Sequence, residues 1–207
     1  MKSSEPESVP SSFFDETYRG SSDPWGYTSS FYETSKYRST IRHLPKKTAK
    51  NAFEIGCSIG VLTQQLAKKC ERLLSVDYSE VGLEEARKRC RELPQVRFQR
   101  MQIPQQFPAE KFDLIVFSEV GYYLTVEDLH QAKQKIIDGL LPGGFLLMVH
   151  YRFPVESFIL NGEIVHDTFI QDSAPLLKHM GDPRQKSFRL DLARHNKRYR
   201  MDVFERL

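Results

Sequence analysis

A doubly wound α/β sheet is the fold this sequence predicts, and three observations predict it. Short apolar runs at residues 52–55, 73–77, 96–98, 111–118 and 145–149 alternate with stretches whose apolar residues recur at helical spacing. The first run stops at Gly56 and restarts beyond Gly60 as an amphipathic pattern, which reads as a strand, a tight loop and a helix start. Residues 112–117, Phe-Asp-Leu-Ile-Val-Phe, are nearly continuously apolar, as a strand covered on both faces of a parallel sheet must be.

Taken in order, residues 1–12 are rich in Ser, Glu and Pro and are expected to be disordered. Residues 13–27 set aromatics between turn formers, the pattern of an ordered loop without a regular element. Ser30 with Glu33 forms a capping box, and Tyr37, Ile41 and Leu44 follow at helical spacing until Pro45 ends the helix. Residues 13–45 are therefore expected to cover a single domain spanning 13–207, their aromatics either packing on it or closing over a ligand.

Beyond the first strand and loop, Leu62, Leu66 and Cys70 mark a helix face, and the second strand ends on Asp77. Ser79 is placed to cap the next helix, whose stripe is Leu83, Ala86 and Cys90. Thr125 with Asp128 caps a helix faced by Leu129, Ala132, Ile136 and Leu140, which residues 141–144, Leu-Pro-Gly-Gly, bring to an end. The last fifty residues change character. A helical or looped piece is expected over 155–180, then two antiparallel strands at 188–192 and 199–203 around a polar break. Arg189, Arg194, Arg198 and Arg200 read as the solvated face of that hairpin.

Composition narrows the function classes. A chain of 207 residues suits one domain with a real core, and it contains no internal repeat and no apolar run of membrane-spanning length. The polar first residues lack a signal-peptide pattern, so a cytoplasmic location is expected. Cys57, Cys70 and Cys90 are odd in number and lack C-x-x-C spacing, which points to buried thiols and to neither a disulfide framework nor a metal site. A net charge of +3 and a pI near 8.7 are too small to argue for a nucleic-acid or membrane partner.

The loop itself discriminates between ligands. A pyrophosphate-binding G-x-G-x-x-G fails here because Ser58 and Val61 stand at two of its three glycines. Asp77, about twenty residues past Gly56, is where a βαβ unit puts an acid that accepts ribose hydroxyls. The spacing of Glu54, Gly56 and Gly60 instead resembles E-x-G-x-G-x-G, the first motif of class I S-adenosylmethionine (SAM) methyltransferases, with Ser58 replacing the middle glycine. With the strong fourth strand and Leu-Pro-Gly-Gly before the fifth, the chain resembles that class from about Phe13 to its end. More narrowly, four motifs resemble the nodulation protein S (NodS-like) family of N-methyltransferases. They are Asp23-Pro24-Trp25-Gly26, Tyr32-Glu33 with Lys36-Tyr37, Glu54-Ile55-Gly56-Cys57, and Ser118-Glu119-Val120-Gly121-Tyr122-Tyr123-Leu124.

The resemblance implies a Rossmann-like class I methyltransferase fold: a seven-stranded, mostly parallel sheet with an antiparallel last strand and an amino-terminal helical cover. It implies SAM as cofactor and the free amine of a deacetylated chitooligosaccharide, or a similar small molecule, as acceptor. Glu54, Gly56 and Gly60 would surround the methionine half, Asp77 the ribose, and Gln102 with Ile103 the adenine. Cys57, Tyr78 and Ser118 would stand beside them, Glu119 near the reacting centre, and Trp25, Tyr32 and Lys36 in the cover. Gln102 departs from the aspartate common at its position, but an amide oxygen accepts the same hydrogen bond.

Methyl transfer needs an aligned, unprotonated nucleophile, so orientation can supply most of the acceleration. For a protonated amine a base or a water path is also needed. Glu119, Tyr122, Tyr123 and His150 are the candidates, His150 being equally readable as a polar residue at a strand end. An O- or carboxyl-methyltransferase and a non-catalytic SAM-binding protein remain alternatives. Nucleic-acid methylation is disfavoured, because the fourth strand leads into Glu119-Val120-Gly121-Tyr122 and not into an Asn/Asp-Pro-Pro-aromatic motif.

Overall fold

The computed structural model describes residues 7–156, 158–171, 176–180 and 198–207. Two helices, α1 (Ser11–Gly20) and α2 (Phe31–Arg42), precede the run β1 (Ala52–Ile55), α3 (Val61–Leu66), β2 (Leu73–Asp77), α4 (Glu80–Arg89) and β3 (Val96–Arg100). Then come β4 (Phe112–Ser118), a 3-10 turn (Gly121–Tyr123), α5 (Val126–Gly139), β5 (Leu140–Tyr151), α6 (Gly162–Ile170), β6 (Leu177–His179) and β7 (Tyr199–Arg206). Among the described residues seven strands form one sheet in the order β3-β2-β1-β4-β5-β7-β6. Pairing is parallel from β3 through β5, while β7 runs antiparallel to both β5 and β6. The doubly wound, mostly parallel sheet is the one the sequence predicts. Its order reverses between β1 and β4, and the crevice at their carboxyl ends is where such sheets hold ligands.

Alternation along the strands divides the core between two faces. Phe53, Ile55, Ile115, Phe117, Leu146 and Met148 pack with α5 and α6 on one face. Ala52, Leu114, Val116, Leu147, Val149 and Met201 pack on the other with Leu62 and Leu66 of α3 and Tyr37 of α2. The expected caps form: Ser30 Oγ accepts from Glu33 N, Ser79 Oγ from Gly82 N and Thr125 Oγ from Asp128 N. They work because a side-chain oxygen satisfies an N–H that the first helical turn leaves free.

Several expectations are corrected. Residues 11–20 are a helix, not part of a loop. It has no side-chain cap to announce it, and it forms by burying Tyr18 against α4, where a Cβ on Gly82 would stand 2.9 Å from the Tyr18 ring. The ordered loop is confined to residues 21–30, where Asp23 accepts the backbone N–H groups of Tyr27 and Thr28. The expected disorder of residues 1–12 does not extend to 8–12. Ser8 bonds to Asp128 and accepts from Thr125 N, and Val9 N donates to Tyr123 O. Residues 1–6 lie outside the described residues.

At the other end, the strand proposed at 188–192 and the residues Arg189 and Arg194 lie outside the described residues. Part of the expected helical or looped piece, Leu177–His179, is instead the strand β6, too short to show a period in the sequence. Arg200 does not sit on a solvated face but bridges Glu163, Asp167 and Asp202. α5 ends at Gly139, and β5 begins at Leu140 with a register shift that leaves residues 141–143 exposed.

Glu54 shows how the fold holds a charge-bearing group under its central loop. It is 1% exposed, its Oε2 accepts Thr63 Oγ1 and Ser75 Oγ at 2.7 Å each, and its Oε1 has no partner among the described residues. Burial pushes this carboxyl up to about 7, against the lowering effect of the two hydroxyls. An unfolded chain releases that proton at a lower pH than the folded one, so this group's contribution to stability falls as pH rises between the two values. We expect the stability of the wild type relative to Glu54→Gln to fall by on the order of 3 kcal/mol from pH 4.5 to 7.5. Urea unfolding of both proteins across that range measures it, and a difference that does not change with pH would show that Glu54 ionises normally.

Candidate functional site

The loop after β1 is built from unusual backbone. Gly56 and Gly60 both stand at φ +79°, and Ser58, which replaces the middle glycine of the pattern, also adopts a left-handed conformation at +50°. Each position is held for its own reason. A Cβ on Gly56 would lie 2.1 Å from Val120 Cγ2, and one on Gly60 would lie 3.0 Å from Ala86 Cα. Gly56 therefore lets the segment after β4 close on the loop, and Gly60 lets α3 and α4 approach each other. Ser58 is tied on both sides: its N–H donates to Asp77 Oδ2 at 2.7 Å, and its Oγ accepts the Tyr18 hydroxyl at 2.6 Å.

Asp77 ends β2 with each oxygen already accepting one backbone N–H, Ser58 N on Oδ2 and Ser79 N on Oδ1. A carboxylate has four lone pairs, so acceptor capacity remains beyond these partners. Burial raises the Asp77 pKa, opposed by the backbone N–H groups of Ser79, Ser58 and Tyr78. Asp77 lines a cavity at the carboxyl ends of β1, β2 and β4. Its space, open mouth included, is 790 Å³. Gly56, Ser58 and Asp77 form one side, Tyr78, Met101, Gln102 and Ile103 a second, and Ser118, Glu119 and Tyr123 a third. Ser8, Val9, Phe14, Tyr18, Trp25 and Tyr27 of the amino-terminal segment roof it.

Glu119 leaves β4 at φ +59°, while its N–H still bonds Val149 O of β5 at 2.8 Å. The side chain is fixed at both oxygens. Oε1 accepts Lys36 Nζ at 2.9 Å, and Oε2 accepts the Tyr122 hydroxyl at 2.5 Å and Tyr151 N at 3.1 Å. Lys36, 3% exposed, also pairs with Glu33 at 2.8 Å, so α2 contributes two members of a buried triad with one net negative charge. Burial alone would lower the Lys36 pKa, but Glu119 and Glu33 outweigh it and raise it. Around the triad lies a second cavity. Trp25, Tyr27 and Tyr32 of the cover face Tyr122, Tyr123 and Tyr151 across it, with Phe153 and Phe158 completing the wall. The buried Tyr32 hydroxyl has no partner among the described residues.

The two cavities meet at Trp25, Tyr27, Glu119 and Tyr123, which line both. Of the residues expected at the cofactor, Trp25, Gly56, Asp77, Tyr78, Gln102, Ile103, Ser118 and Glu119 line the first cavity. Tyr32 and Lys36 line only the second. Glu54, Cys57 and Gly60 line neither: Glu54 bonds within the core, Cys57 packs on Leu83 and Ala86, and Gly60 faces α4. Tyr122 and Tyr123 line the second cavity, and His150 lines neither. It is 0% exposed, its Nε2 accepts Gly121 N at 3.1 Å and its Nδ1 faces His166 Nε2 at 3.1 Å, so both ring nitrogens are engaged within the fold. Sequence reasoning missed Tyr18, Tyr27, Tyr151 and Phe158 as wall residues. Only Tyr27 carried a signal, since it lies in the Asp23 turn.

Comparison with known proteins places this geometry. The family model for nodulation protein S matches residues 16–155. Nodulation protein S of Bradyrhizobium diazoefficiens is 34% identical over 127 residues, 60% of this chain and 61% of that protein. The dTDP-3-amino-3,4,6-trideoxy-alpha-D-glucopyranose N,N-dimethyltransferase of Streptomyces venezuelae is 30% identical over 112 residues, 53% of this chain and 46% of that one. The matches thus span less than two thirds of these relatives' length. Among solved structures, the N-methyltransferase NodS of Bradyrhizobium japonicum, in complex with S-adenosyl-L-homocysteine (SAH), superposes with a TM-score of 0.81 at 23% identity, covering 96% of this chain and 99% of that one. With more than half of its residues matched by that one family model, this chain belongs to the nodulation protein S family.

Proposed function

We propose that this chain is a SAM-dependent methyltransferase that alkylates an amine nitrogen of a small molecule, an amino sugar being the class that fits best. The carrying observation is the shared wall: a cavity suited to a nucleoside shares Trp25, Tyr27, Glu119 and Tyr123 with a second that is aromatic and holds a net negative charge. Two of the relatives named above, by their names an N-methyltransferase and an N,N-dimethyltransferase of an amino sugar, support the same reading.

The residues of the first cavity fit SAM. Asp77 keeps acceptor capacity for ribose hydroxyls beyond its backbone partners, and Met101 and Ile103 give apolar faces for a purine beside the Gln102 amide. When bound, the cofactor supplies a methyl group made electrophilic by its sulfonium. The protein's part is then to hold an amine lone pair in line with it and to keep water out. Aromatic rings in the second cavity suit the apolar face of a sugar or the flank of a cation. Glu119 can attract an ammonium with the lone pair that Lys36 leaves on Oε1, and the Tyr32 hydroxyl, which has no partner among the described residues, can bond a group of the methyl acceptor. The ammonium must lose its proton before attack, which makes the rate rise with pH until the free amine dominates. The cover, residues 8–42, is assigned the task of excluding water, and three buried free cysteines suit a reducing, cytoplasmic setting. Among the described residues no helix is long and apolar enough to cross a membrane.

Asp77→Ala is expected to weaken SAM and SAH binding by roughly 1.5 to 3 kcal/mol, the scale of hydrogen bonds to a charged group. Calorimetry on a variant whose melting profile shows it folded decides this, and unchanged affinity would remove the ribose assignment. NAD should not bind, because the loop lacks the glycines that let a pyrophosphate approach.

For the acceptor, a labelled-methyl screen over amines, amino sugars, hydroxyl compounds, carboxylates and RNA identifies the class. Given an amine substrate, Glu119→Gln should lower kcat/KM by at least about tenfold, as one charge-assisted hydrogen bond is lost. Profiles of kcat/KM against pH for both proteins test it. Indifference to Glu119 at every pH, or transfer confined to hydroxyls or carboxylates, would end the amine reading.

A further inference from the structure

Behind the second cavity, on the face of the sheet covered by α6, four residues form a hydrogen-bonded line that touches neither cavity. Gly121 N donates to His150 Nε2 at 3.1 Å, His150 Nδ1 stands 3.1 Å from His166 Nε2, and His166 Nδ1 stands 2.6 Å from Asp202 Oδ2. Both imidazoles are 0% exposed and Asp202 is 3% exposed. β7 anchors the line: Asp202 also accepts from Arg200 Nε and His179 Nε2, and Arg200 reaches Glu163 and Asp167 of α6.

The direction of every bond follows from one fact. A backbone N–H can only donate, so His150 Nε2 must present a lone pair, and the single proton of the neutral ring is on Nδ1. That proton points at His166 Nε2, which must accept, so the proton of His166 is on Nδ1 and goes to Asp202. A further proton on either ring would set two N–H groups against each other. Burial acts in the same sense, lowering the pKa of both histidines, with His166 and Lys36 adding to it at His150 and Asp202 opposing it at His166. The line therefore ends on a fixed acceptor and carries no proton toward the cavity.

That acceptor meets the segment that needs one. Glu119 is in a left-handed conformation, and residues 121–123 form one tight turn whose first N–H has no partner within the turn. Gly121 is pressed against α6, since a Cβ there would stand 2.5 Å from Val165 Cγ1 and 3.2 Å from His150 Nε2. On the side away from α6, the segment 119–123 presents Glu119, Tyr122 and Tyr123 to the cavity.

We propose that His150, oriented by His166 and Asp202, is a positioning residue for the acceptor wall: it captures the Gly121 N–H and thereby sets where Glu119, Tyr122 and Tyr123 stand. The consequence for catalysis rests on the amine-acceptor reading above; the consequence for the segment's geometry does not.

The test combines a spectroscopic signature with two variants. In protein carrying 15N-labelled histidine, His150 should show a protonated Nδ1 and an unprotonated Nε2 at neutral pH. A protonated Nε2 would overturn the proposal without any variant having to fold. In His150→Gln the amide oxygen can still accept from Gly121 N, whereas in His150→Leu nothing can. The Gly121 amide should resist hydrogen exchange in the wild type and in His150→Gln but exchange in His150→Leu. If the acceptor reading holds, His150→Leu should lower kcat at least about tenfold, and His150→Gln should recover kcat to within about threefold of the wild type. Equal kcat in the wild type and His150→Leu, or equal Gly121 exchange, overturns the positioning role. A wild type that methylates no acceptor in the screen defeats the amine reading instead, and Gly121 exchange then decides the positioning role alone.

Discussion

A lysine ammonium buried between two carboxylates is the interaction on which the rest of this site depends. Lys36 lies on α2, outside the sheet, and its partner Glu119 lies at the end of β4, at the centre of the sheet. Burying three charged groups is costly, and such clusters add little to stability compared with apolar packing of the same volume. What this one supplies is registry. α2 is held in place because a shift of one turn would leave Glu119 buried without its counter-charge. Trp25 and Tyr27 follow from that placement, since the Asp23 turn that presents them leads directly into α2.

Glu119 in turn decides the geometry downstream. Its second oxygen collects the Tyr122 hydroxyl and Tyr151 N, so the turn after β4 and the end of β5 converge on one carboxylate. The opposite side of that turn is held by the His150 ring. Both ties lie in the interior, where a weaker dielectric strengthens hydrogen bonds and makes an unpaired group expensive.

How much of this was legible depended on distance along the chain. Strands β1, β2, β4 and β5 and the caps at Ser30, Ser79 and Thr125 were readable because period and capping act within a few residues. Asp77 was readable for the same reason, being placed by one βαβ unit. The helix α1 was not, since it is held by contacts distant in sequence, such as Tyr18 against Gly82 of α4 and Asp15 accepting from Ser79 Oγ. Lys36 could be tied to the cover by resemblance, but its pairing with Glu119 spans the whole first half of the fold and has no local signature. His150 looked like a base because it stands at a strand end; whether its ring turned toward the ligand or toward α6 was set by His166, which no spacing rule connects to it. Gly60 looked like a ligand contact and is a helix-packing position, because both roles call for the same missing side chain.

The wall shared by the two cavities has a consequence for how such a protein can change over generations. Trp25, Tyr27, Glu119 and Tyr123 each face both compartments, so a substitution that reshapes the room for one small molecule reshapes the room for the other. Variation in acceptor preference that preserves cofactor affinity is thereby channelled to positions that line the second cavity alone, such as Tyr32, Tyr151, Phe153, Val155 and Phe158. Of these, the residues after β5 belong to no helix or strand beyond Tyr151, and they can change size without disturbing the sheet. Lineages of this architecture should therefore diverge fastest in the stretch between β5 and α6, with the shared wall drifting slowly behind it.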